Sequence, residues 1–210
     1  MFPEAYILVG GRSTRFEGGD KPFARFEGKT LAENAVEIAR TALPNSEIFL
    51  VTRDEYQFEE AGRLNVGRVN DRIVDRGPLG GLFSALAHCE SEWLFLFACD
   101  MPLIAPEVIA RLWAHCEPRY GAVVPRQADG RLQPLCAFYR IAETLPVVEF
   151  LLHRADGSAA MMSAIDALDV KIVEPEELQA DSAVWTNVNT IEDLAAISEI
   201  ERKLSGGNQI

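Results

Sequence analysis

The first stretch whose residue types suit chemistry is GGRSTRFEGGDK, which begins at Gly10 and ends at Lys21. Gly10 and Gly11 lack a Cβ atom, so the backbone there can take positive φ angles and bring its N–H groups close to an anion. Arg12, Arg15 and Lys21 add the positive charge that a triphosphate requires. The stretch therefore predicts a phosphate-binding loop in which backbone amides and side-chain cations converge on one ligand.

The spacing in this loop differs from two common phosphate-binding motifs. A P-loop has Gly-Lys followed by Ser or Thr at the start of a helix, and the dinucleotide fingerprint is G-x-G-x-x-G. Neither pattern follows the first glycine pair of this chain. The residues argue against both motifs and leave the ligand's identity open at this point.

A lone carboxylate is the second candidate for chemistry. Asp100 directly follows WLFLFAC at 93–99, the most hydrophobic predicted strand. A carboxylate just beyond a buried strand is costly without a partner, and the carboxyl ends of parallel strands are where ligands of α/β sheets collect. The glycine loop leaves the carboxyl end of the first predicted strand, so we expect the loop and Asp100 at the same edge of the sheet. Mg²⁺ takes one or two carboxylates together with substrate phosphates, so it suits this position. The alternative is that Asp100 only caps the turn into Pro102.

Three further polar residues follow predicted strands or precede a predicted helix. Asp71 ends the third strand, where it either accepts hydrogen bonds from a base or ribose or closes a turn with Asn70. Asn187 and Asn189 lie in TNVNT before the last helix. On their own these two asparagines indicate a structural turn, because Asn-rich turns commonly precede helices.

The cysteines and histidines do not indicate a metal or redox centre. No C-x-x-C pair occurs and no two histidines have metal-ligand spacing, so we predict reduced cysteines and neither a zinc site nor a disulfide framework. Cys99 is interpreted as a small buried residue rather than a nucleophile. We interpret all three histidines as packing or surface residues; they are His88, His115 and His153.

Length and charge limit the classes of protein to be considered. With 210 residues, 48% of them hydrophobic, the chain can bury a full core, and we predict one domain over residues 1–204 and a flexible tail over 205–210. The net charge of −12 argues against a broad nucleic-acid or anionic-membrane surface. No apolar run approaches the roughly 20 residues of a membrane span, and the N-terminus lacks a basic region. We therefore expect a cytoplasmic protein.

The order of the predicted elements indicates the fold class. Strands and helices alternate through residue 125, which is typical of a parallel sheet layered by helices. Thr30, after a turn at 27–30, and Glu33 predict a capping box at the start of a helix that Pro44 stops. The predicted strands are 5–9, 47–52, 66–69, 93–99 and 121–125. The predicted helices are 30–43, 54–62, one that begins after the chain breaks at Gly77-Pro78 and Gly80-Gly81 and continues to about 88, and 106–116.

The pattern becomes less regular after residue 126. A turn at Asp129-Gly130 precedes a strand at 135–139, which either forms a hairpin with the strand before it or is added at the edge of the sheet. Residues 157–166 have no clear assignment. The remaining predictions are a helix at 141–154, a last strand at 167–173 and a closing helix at 191–204.

Five motifs, taken in order, resemble those of the nucleotidyltransferases related to molybdenum cofactor guanylyltransferase, the MobA-type enzymes. They are LVGGRSTRFEGGDK, VTRDEY, NDRIVDRGPLGGL, FLFACDMPLI and TNVNTIEDL. The first alone is typical of the wider sugar-phosphate nucleotidyltransferase superfamily, whereas the combination is much more specific. The resemblance covers residue 6 to about 195. It implies an α/β, three-layer Rossmann-like nucleotidyltransferase fold with a mostly parallel central sheet and helices on both faces.

The resemblance also implies roles for individual residues. Lys21 matches a lysine that contacts the phosphates, Asp71 an aspartate that contacts the guanosine part, and Asp100 the magnesium-binding aspartate. The catalytic residues implied are Arg15, Lys21 and Asp100. The nucleotide-binding residues implied are Leu8, Val9, Gly10, Gly11, Arg12, Ser13, Lys21, Asp71 and Asp100.

The asparagine motif and one departure complete the comparison of residues. Asn187 and Asn189 match the family's asparagines near the pterin end of the cleft, so the resemblance implies that they bind molybdopterin. The family has a nucleotide-contacting asparagine where this chain has Val51-Thr52, and we assign no contact to Thr52. The Gly-Gly pair of the loop, in place of the Ala-Ala-Gly of a CMP-transferring branch, favours guanine.

The activity implied is transfer of GMP from GTP to the terminal phosphate of molybdopterin, with Mg²⁺ as cofactor and pyrophosphate as the leaving group. The partners implied are GTP, molybdopterin and, transiently, molybdenum cofactor biosynthesis proteins and target molybdoenzymes. Two alternatives stay open. One is a nucleotidyltransferase for another phosphorylated acceptor, such as a sugar or isoprenoid phosphate. The other is a non-catalytic nucleotide-binding sensor or accessory protein.

Overall fold

A seven-stranded sheet forms the centre of the computed structural model, which describes residues 2–10, 20–73, 75–154 and 160–197. A separate two-stranded ribbon, β2 and β3, lies outside it. The strands are β1 (Glu4–Leu8), β2 (Arg25–Phe26), β3 (Lys29–Thr30), β4 (Ile48–Thr52), β5 (Gly67–Asn70), β6 (Trp93–Ala98), β7 (Ala122–Pro125), β8 (Cys136–Arg140) and β9 (Val170–Val173). The helices are α1 (Leu31–Ala42), α2 (Glu55–Ala61), α3 (Gly77–Leu86), α4 (Pro106–Trp113), α5 (Ile141–His153), α6 (Met161–Asp166), α7 (Pro175–Leu178) and α8, described over residues 191–197.

The strand order is β5-β4-β1-β6-β8-β7-β9. The pairings are parallel except those of β8, which runs antiparallel to both β6 and β7. Six strands therefore run in one direction. The predicted mostly parallel sheet is confirmed, and every residue of β6 is buried, as its uninterrupted apolar sequence predicted.

The position of β8 decides between the two predictions made for residues 135–139. The hairpin is confirmed because β8 pairs antiparallel with β7, whereas placement at the sheet edge is wrong. Four of its five residues are buried, and it pairs with β6 on one side and β7 on the other. The Phe138 ring lies 4.8 Å from that of Phe95 on β6 and 5.3 Å from that of Trp113 at the end of α4.

The two faces of the sheet pack against different helices. Ala5 and Ile7 of β1 belong to a core cluster that includes the buried faces of α1 and α4. Tyr6 and Leu8 point to the other face and join the buried residues of α3 and α5. This alternation places helices on both faces, and the predicted three-layer α/β architecture is confirmed.

A 3₁₀ turn at Lys21–Phe23 follows Asp20. The β2–β3 ribbon follows, and positive φ angles at Glu27 and Gly28 make the tight turn that joins its strands. The sequence predicted the turn but not the ribbon. The predicted capping box of α1 is confirmed, since Thr30 Oγ1 accepts from Glu33 N at 3.1 Å and Glu33 Oε2 accepts from Thr30 N at 2.6 Å.

The C-terminal third differs in detail from the prediction. The segment at 157–166 contains α6, and β9 begins three residues later than predicted. The closing helix is confirmed over 191–197; its predicted end and the predicted tail lie outside the described residues. The single domain over 1–204 stays a prediction. No helix among the described residues is long and apolar enough to cross a bilayer.

Candidate functional site

Two neighbouring strand ends form the floor of a cleft. β1 and β6 are paired in parallel with Leu8 opposite Ala98, and Cys99 N donates to Leu8 O at 3.3 Å. The glycine-rich loop therefore leaves β1 beside the point where Asp100 follows β6. The prediction that these two features share one edge of the sheet is confirmed.

The cleft has a volume of about 780 Å³. Seven of the residues predicted to form the site line it; they are Leu8, Val9, Gly10, Lys21, Asp71, Asp100 and Asn189. Four other predicted residues lie outside the described part of the chain; they are Gly11, Arg12, Ser13 and Arg15. Roles assigned to those four stay predictions.

Lys21, Asp100 and Asn189 meet in the cleft from three distant parts of the chain. Lys21 Nζ donates to Asp100 Oδ2 at 2.7 Å and to Asn189 Oδ1 at 3.3 Å. The side chains of Lys21 and Asp100 are 16% and 26% exposed. The carboxylate therefore has a cationic partner, which offsets the cost of burying its charge.

Asn189 reaches this pair because the segment before α8 crosses the end of β6. Val188 is buried and its N–H donates to the backbone oxygen of Asp100 at 2.8 Å. Asp193 Oδ2 then accepts from the N–H groups of Asn189 and Thr190, at 2.7 and 2.8 Å, and caps α8. These hydrogen bonds lower the pKa of the Asp193 carboxyl, and the bond from Asn189 has the largest effect.

Asn187 is placed differently from Asn189. Both asparagines are exposed, but Asn187 is not among the described residues that line the cleft. The buried Val188 between the two asparagines holds the segment against the core. A molybdopterin contact of Asn187 stays a prediction.

Asp71 lies on the opposite wall of the cleft and is held by its own loop and by α3. Its Oδ1 accepts from Ile73 N at 3.0 Å and from Ser84 Oγ at 2.9 Å. Burial raises the pKa of Asp71, and these two hydrogen bonds only partly counter that rise. The glycine Gly80 permits this packing, because a Cβ there would lie 2.6 Å from Ile73 O.

Gly10 is the first residue of the glycine-rich stretch and lies just beyond the end of β1. Gly10 does not adopt a positive φ angle, and a Cβ on it would make only ordinary contact, 3.5 Å from Cβ of Arg53. Gly10 therefore does not use the positive φ angles that a glycine permits. The reason is that the chain continues the path of β1 here, with Val9 N donating to Val51 O at 3.1 Å.

Sequence reasoning missed Arg53, which follows β4 and lines the cleft. Its guanidinium donates to Asp54 Oδ2 at 2.9 Å from Nε and 2.8 Å from Nη2, and Nη2 lies 3.6 Å from Asp20 Oδ1. Hydrogen bonding to Asp54 raises the pKa of Arg53 despite burial, which acts against it. The available signal was its position, a polar residue directly after a strand, the criterion that singled out Asp71.

Gln57 is a second missed residue and is fully buried in α2. Its Nε2 donates to Asp20 Oδ2 at 3.1 Å, and its Oε1 accepts from Arg53 N at 2.9 Å. Asp20 directly precedes Lys21, so Gln57 ties the end of the loop to α2. No local sequence signal distinguishes Gln57 from a surface glutamine.

The surroundings of Thr52 and Cys99 agree with the interpretation of the sequence. Thr52 is fully buried, its hydroxyl donates to Asn70 Oδ1 at 2.9 Å, and it is not among the described residues that line the cleft, in agreement with assigning it no nucleotide contact. Burial raises the pKa of the Cys99 thiol to about 12, with the Asp100 charge adding to the rise. A thiol in this state is a poor nucleophile.

The cysteines and histidines are structural or peripheral. The cysteines are free thiols. His88 packs against Tyr6 and Phe49, His115 is near Glu177, and exposed His153 contacts a backbone oxygen, so the interpretation of all three is confirmed.

Asp100 fits a divalent cation as one carboxylate ligand. Among the described residues no group of three His, Cys, Asp or Glu side chains converges as a metal cage. Such a cage is not required for Mg²⁺, which takes one or two carboxylates and completes its shell with phosphate and water oxygens. The ammonium of Lys21 on Asp100 shows that this carboxylate already holds a cation in the cleft.

Comparisons with known proteins agree with the geometry. Residues 5–170 match the MobA-like NTP transferase domain. A Geobacillus sp. (strain WCH70) protein named "Probable molybdenum cofactor guanylyltransferase" is 34% identical over 88% of this chain and 92% of its own. "Molybdenum cofactor guanylyltransferase" of Desulfosudis oleivorans is 30% identical over 90% of each chain. The crystal structure of Rv0371c from Mycobacterium tuberculosis H37Rv has the same fold, with a TM-score of 0.73, 21% identity and coverage of 95% of this chain and 99% of that one.

Proposed function

The chain belongs to the MobA-like NTP transferase family, and from this premise we propose that it transfers GMP from GTP to the terminal phosphate of molybdopterin. Pyrophosphate leaves and a guanine dinucleotide form of the cofactor is produced. The observation that carries the proposal is the cleft in which Lys21 and Asp100 meet beside the start of the glycine loop.

The reaction needs no side chain to deprotonate the nucleophile. The second pKa of a phosphate monoester is about 6, so the acceptor phosphate is largely dianionic at neutral pH. The protein's task is then alignment and neutralisation of charge. This accords with a cleft lined by cationic and carboxylate groups and with the inert thiol of Cys99.

Each described residue has a distinct part in the proposal. Lys21 binds phosphate oxygens of the nucleotide, and Asp71 accepts a hydrogen bond from the guanosine part through the oxygen that its loop leaves open. Leu8 and Leu135 form apolar walls that exclude water from the bound nucleotide. Asp100 would hold Mg²⁺, whose charge would stabilise the developing negative charge on the α-phosphate and the departing pyrophosphate.

The direct test is incubation of the protein with GTP, Mg²⁺ and molybdopterin, followed by detection of the dinucleotide and of pyrophosphate. We expect Asp100→Ala to lower the rate by a factor of about 10² to 10³, the usual effect of losing a charge-stabilising group. Asp166→Asn, on the exposed end of α6, is the matched control and should retain the wild-type rate. A wild-type rate for Asp100→Ala would refute the metal assignment.

The alternatives differ in what they bind or release. A transferase for another phosphorylated acceptor would release pyrophosphate with a sugar or isoprenoid phosphate but not with molybdopterin. A sensor or accessory protein would bind nucleotide but would release no pyrophosphate. Thermal shift with GTP, ATP, CTP and UTP identifies the base, because a ligand at 100 times its Kd stabilises the folded state by about 2.7 kcal/mol.

The proposal extends to the setting of the reaction. The partners are GTP, molybdopterin and, transiently, cofactor biosynthesis proteins and target molybdoenzymes, and the location is the cytoplasm. The net charge of −12 and the family membership support this setting. Fractionation that recovered the protein with membranes, or capture of the tagged protein that never enriched such partners, would contradict it.

A further inference from the structure

The ammonium of Lys21 occupies the carboxylate that is expected to bind the metal. Lys21 Nζ lies 2.7 Å from Asp100 Oδ2, at the distance of a charge-assisted hydrogen bond. Both side chains are mostly buried, so water screens their attraction only in part. A divalent cation that approaches Asp100 alone therefore meets a charge that is already neutralised.

A third residue holds the ammonium in this position. Asn189 Oδ1 accepts from Lys21 Nζ at 3.3 Å, and the backbone of Asn189 is fixed by Asp193 and by the neighbouring bond from Val188 to Asp100 O. The backbone of Lys21 is fixed as well, because it opens a 3₁₀ turn whose first bond runs from Phe23 N to Asp20 O. Only the flexible side chain of Lys21 is left to move.

The same ammonium is the proposed phosphate contact, so it has two competing anionic partners. A nucleotide triphosphate brings several anionic oxygens into the cleft and can attract Lys21 away from Asp100. Departure of the ammonium uncovers the carboxylate, which can then bind a divalent cation together with the phosphates. Asp100 thus has a cationic partner before the nucleotide binds, in Lys21, and would have one again once the metal is taken up.

We propose that Lys21 is a resident cation that keeps divalent metal off Asp100 until nucleotide phosphate draws the ammonium away. The proposal rests on the proposed function for its two ligands, a nucleoside triphosphate and a divalent cation. It predicts that the free protein binds divalent metal weakly and that metal is taken up with the nucleotide. Asn189 is a positioning residue in this exchange, because it contacts Lys21 rather than the metal.

The experiment measures binding of Mn²⁺ alone, from the EPR signal of the unbound ion, with no nucleotide or acceptor present. We expect Lys21→Met to bind Mn²⁺ about tenfold more tightly than the wild type, since removal of a nearby positive charge is worth at least this much in a partly screened site. The same variant should lose most of the thermal shift that GTP produces in the presence of a chelator. Lys29→Met is the charge-matched control, because Lys29 is exposed and pairs with Glu37, and it should behave as the wild type in both assays.

Equal Mn²⁺ affinity in Lys21→Met and the wild type would overturn the proposal. If Lys21→Met does not fold, Asn189→Ala takes its place: tightening of about threefold supports the exchange, and no tightening overturns it. Asp100→Asn separates this inference from the proposed function. Undiminished Mn²⁺ binding by Asp100→Asn would reject the assignment of Asp100 as the metal ligand. The Lys21→Met result is measured without any transfer of GMP, so it tests the exchange independently of the proposed function.

Discussion

The carboxyl group of Asp71 lies where it can contact a ligand, and its burial there lowers the stability of the free protein. Burial in the loop after β5 raises its pKa, so its ionised form is less stable in the folded chain than in water. The hydrogen bonds from Ile73 and Ser84 fix the orientation of the carboxyl group without cancelling this effect. A hydrogen-bond donor on the nucleotide would supply the missing stabilisation.

We predict that Asp71→Asn is more stable than the wild type at neutral pH and weaker in binding GTP. The asparagine oxygen can still accept from Ile73 and Ser84, but the variant has no charge to bury. Because the folded pKa of Asp71 is raised, the wild type loses stability as pH rises through it, so the variant's advantage should grow with pH and vanish in acid. Thermal unfolding between pH 4 and 8 checks the sign.

The affinity of Asp71→Asn for GTP should fall about tenfold, the usual effect of losing a hydrogen bond to a charged group. Ser84→Ala is a useful comparison, since it removes one partner of Asp71 while keeping the carboxylate. An Asp71→Asn protein that is less stable than the wild type across the whole pH range would show that its charge is stabilising here.

At the scale of elements, two adjacent glycines set how closely α3 approaches the cleft. A Cβ on Gly80 would lie 2.6 Å from the backbone oxygen of Ile73, and one on Gly81 would lie 2.8 Å from Cδ2 of Leu8. Alanine is favoured over glycine inside a helix by about 1 kcal/mol, so propensity alone would make both substitutions stabilising. The neighbouring atoms decide the result, because a side-chain methyl can shift and a backbone oxygen cannot shift as cheaply.

We therefore predict opposite outcomes for the two glycines. Gly80→Ala should destabilise the protein by about 1–3 kcal/mol, the usual cost of overpacking, whereas Gly81→Ala should stay within about 1 kcal/mol of the wild type. Gly81→Ala should instead weaken GTP binding, since it displaces Leu8 at the cleft floor. Urea unfolding and thermal shift with GTP separate the effects, and equal unfolding free energies for both variants would refute the steric explanation.

The contact between α2 and the loop end gives another prediction. Gln57→Leu keeps a similar volume but removes the amide donor to Asp20 Oδ2 and the acceptor for Arg53 N. We expect a loss of about 1–3 kcal/mol of stability and a higher KM for GTP with less change in kcat, because Lys21 follows Asp20 directly. Tyr56→Leu, at an exposed position of the same helix, should change neither value.

These elements also show what the sequence could predict. Apolar runs such as β6 identified the strands, because strands buried on both faces carry no polar alternation, and the order of elements gave the parallel sheet. The insertion of β8 between β6 and β7 depends on which strands pair, and no local pattern encodes that choice. The same limit applied to the site: Asp20 and Gln57, or Lys21 and Asn189, meet only after the chain has folded.

At the scale of the whole molecule, buried carboxyl groups at the two ends of the parallel strands have their pKa shifted in opposite directions. The carboxyl ends of these strands form the cleft edge of the sheet, and their amino ends form the opposite edge. Glu4 opens β1 at the edge opposite the cleft and is buried. Its Oε2 accepts from Tyr6 OH at 2.7 Å, and its Oε1 accepts from Glu90 N and Ser91 N at 3.0 and 2.9 Å. Burial alone would raise the pKa of Glu4, but these donors together lower it. Asp71, at the cleft edge, lacks such a complete set of partners in the described structure.

Glu4→Gln should consequently behave in the opposite way to Asp71→Asn. The folded pKa of Glu4 is lowered, so its contribution to stability is present above the ordinary carboxyl pKa and is lost as pH falls through the folded value. We predict that Glu4→Gln is about 1–3 kcal/mol less stable at neutral pH, where an amide nitrogen replaces one acceptor oxygen, and that the deficit narrows in acid. Urea unfolding at pH 7 and pH 4 measures both values.

Glu47→Gln provides the matched control, because Glu47 is exposed at the same edge, next to the start of β4. It should leave stability unchanged at either pH. The shift in melting temperature on adding GTP should also be unchanged in Glu4→Gln, since the whole length of β1 separates Glu4 from the cleft, whereas Asp71→Asn should reduce that shift. If Glu4→Gln reduced the GTP shift as much as Asp71→Asn, the two edges would be energetically coupled, and the division of the sheet into a stabilising edge and a ligand-binding edge would be wrong.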